Sequence, residues 1–244
     1  MRKLPAWLFG GFSALAGLVA HASEASTADQ IRATAVPASQ EPLHIVHYDA
    51  EPFMIYTNDV MPGIWTRYHQ HHSDLLAVIA GGTQVGGQVP GEEAKSQNVP
   101  SGTVAFFPYS DSAAPYVHRV GVTGEQPFVN VGLEFHGPLD SQCQANTTWQ
   151  HPAIETVTSN RRGSAYHLLL ASGASAALPE LGRGLLLVPL AEPANNLLLD
   201  STQWQPAPGD FRFYTDFNQP QQPRPATIKN NGSSNVRLVV FVAC

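Results

Sequence analysis

Gly63-Ile-Trp-Thr-Arg-Tyr-His69-Gln-His71-His72-Ser-Asp74-Leu-Leu-Ala-Val-Ile-Ala-Gly81-Gly82 is the stretch that decides the fold. Three histidines occupy four positions at the mouth of an apolar run that reads as a buried strand. His69 and His71 lie two apart, so in extended backbone both imidazoles project from one face. Two neutral imidazoles on one face are half of a metal site. His118 follows His71 by 47 residues, ahead of another strand-like run. That spacing suits a site assembled from two strands of one β-barrel. It does not suit a helical metalloprotease motif, with histidines four apart around a glutamate. The expected ligands are therefore His69, His71 and His118. The expected cofactor is a divalent transition metal, with Fe, Mn, Zn, Cu and Ni all compatible.

The texture around this stretch is β-rich. Short runs alternate with Gly, Pro, Asn and Asp turns, predicting strands near 44–48, 53–56, 63–70, 75–80, 84–89, 103–107, 115–119 and 127–135. The second half reads alike, with strands near 166–170, 183–190, 196–200, 209–214, 226–229 and 236–242 and a short helical turn near 174–182. Many short strands argue for a sandwich or barrel. The halves also echo each other. Leu75–Ala80 matches Leu185–Leu190 at an offset of 110, and His118–Glu134 matches Ala226–Val242 at 108. On these offsets Pro179, Leu181 and Ala226 stand where His69, His71 and His118 stand in the first half, so the second unit is expected to hold no metal.

Outside these halves, residues 1–22 have a basic start, an apolar middle and the small-x-small signal Ala20-His21-Ala22, which predicts a secretory signal peptide. An uncleaved anchor is the alternative. A periplasmic or secreted protein is expected. Residues 23–42 read as a flexible leader. Removing Arg2 and Lys3 leaves 11 basic against 19 acidic residues, a net charge of −8. With no basic cluster, nucleic acid and anionic membrane surfaces are not expected partners. A small-molecule ligand is expected. Oligomeric state stays open, a homodimer included. Cys143 and Cys244 end the two halves, and an oxidising compartment permits a bridge between them.

The motifs resemble those of the cupins, small double-stranded β-helix barrels. Gly63, His69, His71 and Gly81 resemble the first cupin motif; Gly102, Pro108 and His118 resemble the second. The resemblance covers about 44–140, with a degenerate echo over 150–244. It implies an all-β chain of two cupin-type jelly-roll barrels packed together: 43–142 with the metal site and 143–244 without. Two departures stand out. The family glutamate, four or five residues after the second histidine, is replaced by Leu75 or Leu76. Asp74 is the nearest acid but lies on the opposite strand face, and Asp111–Pro115 looks inserted before His118.

Beyond the ligands, Glu134 and Arg67 are the candidate catalytic residues. Glu134 shares a polar strand face with Asn130, against the reading of a solvated strand end. Arg67 shares the face of His69 and His71, where a guanidinium would hold a carboxylate, against the reading of a rim salt bridge. His72, pointing off the ligand face, reads as solvated or supporting; His44, His47, His136, His151 and His167 read as ordinary. Two function classes follow. One is a metal-dependent enzyme of dioxygenase or isomerase type acting on a small organic molecule. The other is a non-catalytic module binding a small ligand or a metal. An opening beside the three histidines would favour the first, and closure by a fourth protein ligand the second.

Overall fold

The computed structural model describes residues 26–137, 149–179, 183–190, 196–207, 209–215 and 223–244. The expected signal segment and Cys143 lie outside these residues, and so does Leu181. Helix α1 (Thr27–Thr34) and the short strand β1 (Val36–Pro37) come first. They are followed by β2 (His44–Ala50), β3 (Phe53–Val60), β4 (His69–His71), β5 (Asp74–Gly81) and β6 (Thr83–Gln88). Next come β7 (Lys95–Val99), β8 (Val104–Phe107), β9 (Tyr116–Val122) and β10 (Phe128–Phe135). The second half holds β11 (Ile154–Asn160), β12 (Gly163–Leu170), β13 (Ser175–Ala177), β14 (Gly184–Pro189) and β15 (Leu197–Leu199). It ends with β16 (Thr202–Trp204), β17 (Arg212–Thr215), β18 (Thr227–Asn230) and β19 (Val236–Ala243).

The first barrel is built from sheets of order β1-β4-β9-β6-β7 and β2-β3-β10-β5-β8. The second repeats the plan as β13-β18-β15-β16 and β11-β12-β19-β14-β17. The correspondence holds rung by rung. Glu134 pairs with Leu75, as Val242 pairs with Leu185. These are the offsets of 108 and 110 read from the sequence. The fold is all-β and consists of two barrels packed together.

The strands between the barrels are apolar at nearly every position because both of their faces are buried. In β5, Leu76, Val78 and Ala80 face the other barrel while Leu75, Ala77 and Ile79 face the lumen. In β14, Leu186 and Val188 join the same inter-barrel core, and Leu185 and Leu187 fill the second lumen. β10 and β19 divide likewise, with Leu133, Phe135, Val239 and Phe241 in the shared core. Ion pairs rim this interface: Asp74, fully buried, receives Arg161 and Arg162 from the turn before β12.

Four expectations are corrected. The leader is ordered from Thr27 onward: β1 pairs in parallel with β4, Val36 opposite His69. The strand expected over 63–70 begins only at His69, because Pro62 to Tyr68 runs as a bridged loop along β9. Where a helical turn is expected near 174–182, the described residues instead hold β13 at Ser175–Ala177, recruited by pairing with β18. No strand is expected over 95–99, yet the exposed β7 (Lys-Ser-Gln-Asn-Val) forms there without apolar alternation, because it pairs with β6.

Candidate metal centre

β4 is three residues long, and its pairing fixes the site. His69 stands directly opposite His118 on β9, and His71 opposite Tyr116. The strand alternation that put His69 and His71 on one face thus meets a third imidazole across the ladder. Ligand-capable atoms of His69, His71 and His118 all lie within 4.8 Å of one another. All three rings line the lumen, and His72 is exposed, pointing away.

The backbone and neighbouring acids set the rings. His69 Nδ1 donates to the Arg67 carbonyl at 3.0 Å. His71 Nδ1 donates to Glu134 Oε1 at 2.6 Å. With both Nδ1 atoms engaged by acceptors, the Nε2 atoms keep their lone pairs. His71 Nε2 lies 3.1 Å from His118 Nε2. Burial lowers His69 to about 3 and holds His118 well below the ordinary histidine range, so these rings are neutral near pH 7. His71 Nε2 and His118 Nε2 lie within hydrogen-bond reach, so without a cation one ring donates to the other; a divalent cation between the three rings would take their lone pairs instead. The donor set therefore fits such a metal.

Glu134 is not a solvated strand end. It is buried, and it is the cross-strand partner of Leu75, one of the two positions where the family glutamate is missing. A carboxylate thus reaches the same neighbourhood from the adjacent strand, but it grips His71 rather than joining the ligands. Burial alone would raise its pKa; the nearby His136 ring and the hydrogen bond from His71 outweigh this and bring it to about 2. His136, read as ordinary, flanks the other oxygen at 3.8 Å. Arg67 is corrected more fully. It precedes β4, its side chain is exposed, and it serves through its backbone. Its N–H donates to buried Glu41 Oε2 at 3.1 Å while its carbonyl holds His69.

Sequence reasoning missed His44. It is buried in the lumen, stacked on Tyr56 at 4.4 Å between ring centroids and edge-on to His69 at 4.7 Å. Its Nδ1 donates to the Ala38 carbonyl, and burial lowers its pKa to about 4. The only sequence signal was its place on the lumen face of β2, which requires knowing the barrel. Tyr109 and Tyr116 stack on each other at 4.6 Å. Tyr109 also stacks on His71, and Tyr116 tilts against His118. Asp74 turns away from the metal centre, but it fixes this aromatic wall: its carboxylate accepts from the backbone and hydroxyl of Ser110, next to Tyr109.

The lumen continues from the histidines as a cavity of about 390 Å³, walled by Leu75, Ile79, Val85, Phe107 and Phe128 among others. In the second barrel the corresponding space is packed. Leu178, whose N–H bonds the Ala226 carbonyl, takes the place of His69 opposite the His118 position. The register thus names Leu178 where the sequence offset named Pro179.

No family model matches the sequence, and no curated protein does. Solved structures do. AerE from Microcystis aeruginosa aligns with 84% of this chain and 98% of its own, at 10% identity and a TM-score of 0.54. A salicylate 1,2-dioxygenase from Pseudaminobacter salicylatoxidans aligns with 88% of this chain and 81% of its own, at 11% identity and a TM-score of 0.52. A cupin 2 conserved barrel domain protein from Leptotrichia buccalis aligns with 82% and 88%, at 7% identity and a TM-score of 0.49. With one strand order used twice and a histidine triad in the first lumen, this chain has the cupin fold in a two-barrel form.

Proposed function

We propose that this is an exported, metal-dependent cupin enzyme of dioxygenase or isomerase type, acting on a small organic molecule in its first barrel. The observation that carries the reading is the open triad. Among the described residues only three side chains form the metal-ligand group, and they face a cavity rather than a fourth protein ligand. A structural metal site is closed, whereas a catalytic one keeps a position free. His69, His71 and His118 would hold the metal, which supplies Lewis-acid or redox chemistry when bound. Glu134 and the Arg67 carbonyl orient the rings, and Tyr109 and Tyr116 keep bulk water from the histidines. Export rests on the signal-like residues 1–22.

A non-catalytic binding module is the second reading. It is favoured by one observation: Glu134, the acid beside the histidines, is already engaged by His71 and His136. Metal analysis of protein purified from its native compartment, followed by turnover assays with that metal, separates the two. One tightly held metal with substrate turnover supports the enzyme. A metal without turnover or with no exchangeable position supports the module.

A further inference from the structure

Deep in the first lumen lies a polar pair that the histidine site does not use. Asn58 on β3 and Asn130 on β10 are direct cross-strand partners, both buried and both lining the cavity. Neither carbonyl oxygen has a hydrogen-bond partner. Next to Asn58 on the other side is His44. A row of His44, Asn58 and Asn130 therefore crosses one wall of an otherwise apolar chamber. Buried amides without partners are costly, and natural folds retain few of them.

The chain contains its own control. In the second barrel the same row, five rungs from the Gly163–Ala243 end as Asn58 is from the Phe53–Phe135 end, reads Ile154, Leu168 and Leu238. There the side chains pack into a filled core. The ladder therefore needs no asparagine at these positions. What distinguishes the first barrel is that it encloses a cavity ending at the histidines.

We infer that Asn58 and Asn130 form a ligand-docking subsite, reading a hydroxyl on a small aromatic molecule whose other end reaches the metal centre. This rests on the metal-site reading above. The ring is argued from the aromatic walls, Phe107, Tyr109, Tyr116 and Phe128. No lysine or arginine lines the cavity among the described residues, so any negative charge on the molecule would be offset only at the metal end. A carboxamide both donates and accepts, which matches a hydroxyl.

The test uses the full chain loaded with Zn²⁺. Metal stoichiometry is measured first, for the wild type and for Asn58→Leu/Asn130→Leu, which copies the second barrel. Loss of metal by the wild type would refute the metal site itself, a failure distinct from that of the subsite. Calorimetric titration then compares benzoate with 3- and 4-hydroxybenzoate. At least one hydroxylated probe should bind the wild type about tenfold or more tighter than benzoate, since a site built for a hydroxyl rejects the analogue lacking it. The double variant should retain metal and benzoate binding and lose the preference. Asn58→Ala and Asn130→Ala, made singly, should each weaken it, which covers a double variant that fails to fold. No preference in the wild type, no binding of any probe, or a preference surviving the substitutions would overturn the subsite.

Discussion

At the scale of single residues, the site is a contest between burial and hydrogen bonding. Burial keeps His69 and His118 neutral, and acceptors on the Nδ1 atoms of His69 and His71 aim their Nε2 lone pairs inward. Replacing His69 or His71 with alanine should abolish metal retention in equilibrium dialysis, while His72→Ala should change little. Glu134→Leu removes the acceptor that fixes His71. Metal affinity should fall by about 10–100-fold with the fold retained, as for other partners that orient ligands. An unchanged affinity would show that Glu134 does not position the ring.

Among the elements, the turn carrying Ser110 and Asp111 is the one most exposed to a single substitution. It borders the inserted-looking segment Asp111–Pro115, and its hold on the second barrel passes through Asp74, Arg161 and Arg162. Burial would raise the Asp74 pKa, but hydrogen bonds from Arg161, Ser110 and Arg162 prevail and bring it to about 2. An unfolded aspartate titrates near 3.9. The folded value is the lower one, so this cluster stabilises the protein above about pH 4 and loses that contribution as pH falls toward 2. Asp74→Ala removes the carboxylate that buried Arg162 and Arg161 both engage and should cost about 3–5 kcal/mol near neutral pH. In chemical denaturation at stepped pH, the gap between variant and wild type should shrink between about pH 4 and 2. A gap independent of pH would contradict the assignment.

For the whole molecule, the shared core makes the two barrels one cooperative unit. Leu76 and Leu186 come from different barrels and sit in the same buried cluster. Either one changed to alanine should destabilise the chain by about 2–5 kcal/mol and shift a single unfolding transition. Two resolved transitions in calorimetry would show independent barrels. Metal titration should reach one ion per chain, because Leu178 and Ala226 occupy the second barrel's places for His69 and His118.

The sequence alone determined what depends on local pattern. Strand alternation put His69 and His71 on one face, turn residues and short apolar runs announced an all-β chain, and offsets of 108 and 110 marked the repeat. It also led to the expectation of a second barrel without ligands. Tertiary structure decided whatever depends on which strands become neighbours. Glu134 became the support of His71 because β10 lies beside β5. His44 entered the lumen because β2 closes the same sheet. The leader became a strand because β4 offered it an edge. Asp74, one or two positions before the place of the family glutamate, was turned outward to meet two arginines 87 and 88 residues away in sequence. No local pattern encodes such pairings, because their energy is released only when distant segments exclude water together.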